Sequence, residues 1–118
     1  MQFAYFELTD SVSSEENPPG QGVAEQLCST LGGEGPYLRG DYGWEWIYRG
    51  HDYKALAVLQ QYEAGWLIPV EVGRMDRLLK RGASVLDDLS RSIDQALGQR
   101  VTRLLTFPSE QAFRTSGL

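Results

Sequence analysis

The chain has one cysteine and one histidine among its 118 residues. A lone Cys28 cannot form an internal disulfide, so a disulfide-stapled scaffold is excluded. One Cys and one His cannot supply the several soft ligands of a zinc site. Long apolar runs are missing as well: nothing approaches the ~18 residues a membrane-spanning helix needs. No basic stretch followed by an apolar core stands at the N-terminus. A reducing, cytoplasmic location is the expectation from these features. Walker-type loops, EF-hand spacing, a nucleophile elbow and DNA-binding motifs are all absent. Gly33-Glu34-Gly35 opens like a phosphate-binding glycine loop, but Leu38 stands where its last glycine belongs. No cofactor is implied.

Positive charge is scarce in the first 48 residues, which carry eight acids and one base, Arg39. Residues 49–118 carry ten bases and eight acids, and the whole chain is −5. This asymmetry disfavours nucleic acid as a direct ligand of the N-terminal half and suits a basic protein partner. Apolar content of 42% and charged content of 23% lie in the ordinary globular range, which argues for one folded domain over 1–118.

Aromatic residues gather in 42–73, the stretch around which the chain is organised. Trp44, Trp46 and Tyr48 alternate with Glu45, Ile47 and Arg49, the period of a half-buried strand. Tyr53 to Tyr62 is a second run without Gly or Pro, and Trp66 to Val72 a third. Two tight turns are expected, Gly50-His51 and Ala64-Gly65, with glycine supplying a positive φ in each. That register sets Tyr48 opposite Tyr53, Trp46 opposite Ala55, and Leu59 opposite Val70. One face then holds Trp44, Trp46, Tyr48, Tyr53, Ala55, Ala57, Leu59, Trp66, Ile68, Val70 and Val72. The other mixes charge with Ile47, Leu56, Val58, Tyr62, Leu67 and Pro69.

Flanking elements follow from the same rules. Gln2 to Leu8 and Val101 to Phe107 read as strands, with a short strand at Tyr37–Arg39. Gln21 to Leu31 reads as a helix with Val23, Leu27 and Leu31 inward, stopped by Gly32-Gly33. Ser84 to Leu97 is the clearest helix, with a capping-box-like Ser84 and Asp87 and a stop at Gly98. Arg74 to Arg81 is a basic helical turn or two, and Ser109 to Phe113 a terminal turn. Cys28 falls on an inward stripe, as a buried thiol. The expected fold is therefore α+β: a two-layer sandwich with a mainly antiparallel sheet. Its sheet is the three-strand meander plus N- and C-terminal strands, and two helices pack on the tryptophan face. The opposite face is expected to stay open as a binding surface.

In size, acidity, lone cysteine and lack of catalytic residues, the chain resembles bacterial immunity proteins, which neutralise toxins by direct binding. The resemblance is one of profile over the whole chain, with no shared motif. It implies a non-enzymatic inhibitor whose acidic surface matches a basic, nuclease-like cleft, with fast electrostatic association. The expected contacts are the acids Asp10, Glu15, Glu16, Glu34, Asp41 and Glu45, with Tyr37 and Tyr42 as anchors. The protein is expected to be a monomer or weak homodimer, with no direct nucleic-acid or membrane contact. A phage-encoded inhibitor has the same profile. Two other readings stand beside it. One is a small-molecule-binding domain or weak enzyme with a pocket lined by Trp44 and Trp46, near a His51 oriented by Asp52. The other is a homodimeric adaptor paired through Ile47, Leu56 and Tyr62.

Overall fold

Two hairpins build the centre of the molecule. In the computed structural model, which describes residues 1–9 and 19–118, β3 (Gly43–Arg49), β4 (Lys54–Tyr62) and β5 (Gly65–Val72) form the expected meander. β1 (Gln2–Leu8), β2 (Glu34–Arg39) and β6 (Val101–Phe107) complete a six-stranded antiparallel sheet in the order β2-β3-β4-β5-β1-β6. β1 lies inside the sheet, between β5 and β6, and its Phe3, Ala4, Tyr5 and Phe6 are all buried, so both its faces are covered. The helices are α1 (Gln21–Thr30), α2 (Arg74–Leu78), α3 (Val85–Leu97) and α4 (Glu110–Arg114). None among the described residues is long and apolar enough to cross a membrane.

Both turns sit one residue earlier or later than expected, and each shifts its register by two. Trp46 faces Ala57 and Tyr48 faces Ala55, with His51-Asp52 at the tip and Gly50 N–H donating to Tyr53 O at 2.8 Å. Gln61 faces Trp66 and Tyr62 faces Gly65, so Glu63-Ala64 turns the chain, with Glu63 taking the positive φ of 49°. A shift of two keeps every side chain on its expected face. Neither Gly50 nor Gly65 has a positive φ. They are needed for room: a Cβ on Gly50 would lie 2.0 Å from the Tyr53 ring, and one on Gly65 2.4 Å from Phe6 O. Both glycines look in the sequence like conformational devices, whereas in the fold they permit close approach.

The expected inner face packs beneath α1 and α3. Trp46, Leu59, Ile68 and Val70 meet Ala24, Leu27 and Cys28 from α1 and Val85, Leu89, Ile93 and Leu97 from α3. α1 ends in a Schellman motif: Gly32 has φ 66°, its N–H donates to Ser29 O at 3.0 Å, and Gly33 N–H donates to Cys28 O at 2.8 Å. Burial raises the pKa of the Cys28 thiol above its ordinary value and keeps it inert. α3 starts differently from the expected box. Ser84 Oγ donates to Asp88, not Asp87, at 3.1 Å, and Gly98 continues in a right-handed conformation into one 3-10 turn.

The opposite face is only half open. α4 lays Phe113 over it, stacked on Phe3 at 4.8 Å, tilted against Tyr62 at 5.5 Å and edge-on to Phe107 at 5.4 Å. Phe3, Tyr5, Leu67 and Phe107 form a second buried cluster there, and Tyr62 Oη donates to Leu118 O at 3.1 Å. Leu67 and Tyr62 therefore leave the exposed set that the sequence suggested. α4 holds because Ser109 Oγ accepts from Ala112 N–H at 3.1 Å, an ordinary N-cap.

Candidate partner-binding surface

The β2–β3 hairpin brings five of the eight expected contact residues together. Tyr37 stands directly opposite Glu45, and Glu34 opposite Ile47. Glu45 and Ile47 alternate with the core residues Trp46 and Tyr48, so all four paired side chains belong to the face away from α1 and α3. Gly40, Asp41 and Tyr42 form the hairpin turn. Tyr37 and Tyr42 are 59% and 53% exposed, unusual for aromatics and available to a partner. Arg39 braces the turn, with Nη1 donating to Glu45 at 2.9 Å and Nε donating to Tyr42 Oη at 3.1 Å. Those two contacts raise the Arg39 pKa, the Tyr42 bond first. Within the described residues β2 is also an edge strand, so its outer backbone has no strand partner among them. Asp10, Glu15 and Glu16 lie outside the described residues.

Cross-strand pairing extends the surface in a row. Glu34 faces Ile47, Ile47 faces Leu56, and Leu56 faces Glu71. A groove of about 340 Å3 lies along its far end, lined by Ile47, Leu56, Glu71, Arg74 and Arg77 among others. Arg77 pairs with Glu71 at 3.7 Å. The sequence showed α2 as a basic patch, but not that it borders the open face. Only the turn of the chain at Gly73, whose N–H donates to Lys54 O at 2.8 Å, brings it there. Met75, Leu78 and Leu79, all more than half exposed, lie among its bases.

A second concavity, about 260 Å3, opens where the β3–β4 turn meets α1 and α3. It is lined by Tyr48, His51, Tyr53, Asp88, Arg91 and Ser92, with the tryptophans elsewhere. Trp46 and Trp66 are buried in the core, so the expected pocket lined by Trp44 and Trp46 is not this one. Asp88 is the hub: it accepts from Tyr53 Oη at 2.6 Å and Ser84 Oγ at 3.1 Å, and pairs with Arg91 at 3.5 Å. Asp52 is occupied by Gly82 N–H at 3.2 Å and does not serve to orient His51. Ser92 Oγ is buried with no hydrogen-bond partner among the described residues, and Tyr48 Oη is buried beside the Tyr53 hydroxyl. Among the described residues, no three His, Cys, Asp or Glu side chains gather as a metal site.

The tyrosines here give a pH signature. Burial pushes the Tyr48 hydroxyl up to about 12; the nearby Tyr53 hydroxyl opposes this and the Asp88 charge adds to it. Tyr53 is raised too, by burial and by its bond to Asp88. The ordinary tyrosine pKa is about 10. Between those values the unfolded chain releases a proton that the folded protein keeps, so stability falls as pH rises. Urea midpoints should thus decline from about pH 10 upward, and Tyr48→Phe should make the decline shallower. An unchanged slope in that variant would refute the assignment.

Compared with protein-family models, curated proteins and solved structures, the chain matches none.

Proposed function

We propose that the protein works by binding and blocking a protein partner through the β2–β3 face, in the manner of a toxin-neutralising immunity protein. One observation carries this reading: Glu34, Tyr37, Asp41, Tyr42 and Glu45 share one edge hairpin, with two tyrosines exposed. Aromatic anchors among acids suit a basic, partly apolar counterpart, and long-range attraction would speed encounter. A basic catalytic cleft of a nucleic-acid-cutting toxin is the proposed target. The chain's net charge of −5 helps association with such a surface.

The test starts from a partner captured on immobilised protein and produced pure. Its Kd should rise about tenfold or more between low and moderate salt. Tyr37→Ala with Tyr42→Ala should weaken binding by about 2 kcal/mol or more. A partner indifferent to both salt and the double substitution does not use this face, and the proposal fails. The small-molecule reading has one supporting feature, the two buried hydroxyls beside the Asp88 cleft. Ligand-dependent melting shifts abolished by Tyr48→Phe would favour it instead.

A further inference from the structure

We infer that the α2 corner of the molecule rests on an anionic lipid surface, with Met75, Leu78 and Leu79 entering the headgroup layer and the surrounding bases holding lipid phosphates. Met75 and Leu78 lie three apart and Leu79 four from Met75, so the three share one face of the helical turn. They are 65%, 71% and 53% exposed, and α2 has no buried residue. An apolar helix stripe ordinarily points at the core. Here Asp76 reverses it. Its Oδ2 accepts from Lys54 N–H at 2.9 Å, at the start of β4, which sets the polar side of α2 against the sheet. Gly73 N–H donates to Lys54 O at 2.8 Å on one side, and Gly82 N–H donates to Asp52 Oδ1 at 3.2 Å on the other. The element is tied down at both ends and in its middle, so the fold itself holds the apolar face outward.

Two features select a lipid layer as the occupant. The first is shape. The three side chains stand out from the body of the protein, so a protein partner would need a hollow to match them. A headgroup layer deforms around them and needs no such match. The second is charge. Arg74, Arg77, Lys80 and Arg81 are all exposed along this segment, and Arg49 and Lys54 pair across the nearest end of β3 and β4. Against these six bases stand Asp52, Glu71, Asp76 and Asp87, while Asp88 and Arg91 offset each other. Asp52 and Asp76 are engaged by backbone N–H groups, and Glu71 by Arg77. Arg74 and Lys80 form no ion pair among the described residues. Bases beside protruding apolar side chains complement a negatively charged surface.

The chain as a whole is −5, so the attraction is local and orients the molecule. Asp41 and Tyr42 precede β3, whose other end is Arg49, so the acidic hairpin tip lies at the far end from the lipid. The absence of membrane contact expected from the sequence rested on the lack of a spanning segment, which surface attachment does not require. The inference does not depend on the partner proposed above.

Flotation of the purified full chain with phosphatidylcholine vesicles, and with vesicles of equal parts phosphatidylcholine and phosphatidylglycerol, tests this. Partitioning should be about tenfold or more stronger on the anionic vesicles and should fall about tenfold from low to moderate salt. Leu78→Ser with Leu79→Ser leaves the core untouched and should weaken partitioning about tenfold. Arg74→Gln with Lys80→Gln should weaken it about tenfold and flatten the salt dependence. Tyr37→Ala with Tyr42→Ala should float like wild type, which separates this result from that of the partner test. A wild type that stays behind with both vesicle types, or floats equally with both, overturns the inference. So do the two α2 double variants if, folded by far-UV circular dichroism, they float like wild type. A wild type that ignores vesicles but loses a captured protein partner on Leu78→Ser with Leu79→Ser makes this corner a protein-docking site, and the lipid inference then fails.

Discussion

Trp46→Ala is expected to lower unfolding free energy by about 3–5 kcal/mol, a large share of the ~5–15 kcal/mol of a typical domain. Trp46 is fully buried in the principal core, below α1 and between the β2 and β4 neighbours of β3. Its Cδ1 lies only 3.1 Å from where a Gly33 Cβ would be, so the backbone has been brought down onto the ring. Removing the indole leaves a cavity that a sheet and a helix cannot close without breaking their own hydrogen bonds. Trp46→Phe should cost clearly less. It keeps much of the ring volume and removes Nε1, which is buried without a partner among the described residues. Urea unfolding followed by circular dichroism measures both. A loss below about 1.5 kcal/mol for the alanine variant would contradict the packing described.

Removing α4 by stopping the chain after Pro108 is expected to be comparably damaging, by about 3 kcal/mol or more. Phe113 contributes a stacked contact with Phe3, a tilted one with Tyr62 and an edge-on one with Phe107. Without it, Phe3, Tyr5, Leu67 and Phe107 become a contiguous apolar patch on a sheet face. The shortened protein should bind a hydrophobic dye and aggregate at concentrations where the full chain is clear. The milder Phe113→Ala should lose about 2 kcal/mol while keeping the α4 backbone. A shortened chain with an unaltered urea midpoint and no dye binding would mean that α4 is not the cover described here.

The alternation of Trp44 to Arg49 and the run to Val72 identified the faces correctly, although both turns were misplaced by one residue. The reason is a parity effect. Moving a two-residue turn by one position shifts register by two, and side chains return to the same side. The glycines were misread because a sequence shows that a Cβ is absent, not what occupies its place. At Gly50 that is the Tyr53 ring, and at Gly65 the carbonyl oxygen of Phe6. In the sequence Asp88 is simply one more acid in the first turn of α3. Its role as the Tyr53 acceptor depends on a neighbour 35 residues away, which local periodicity cannot reveal.

Of the proposed binding face, Tyr37, Tyr42 and their neighbouring acids were legible as a cluster in the sequence, because they occupy one short stretch. Their common side required the pairing of Tyr37 with Glu45. Composition and periodicity by themselves determined the elements, the buried tryptophan face and the acidic first half, since each depends on residues close along the chain. Tertiary structure alone decided that β1 enters between β5 and β6, that α4 closes half of the second face, and that α2 brings its bases to the edge of the other half. These arrangements join residues tens of positions apart, and the free energy that selects them arises only when distant apolar surfaces exclude water together.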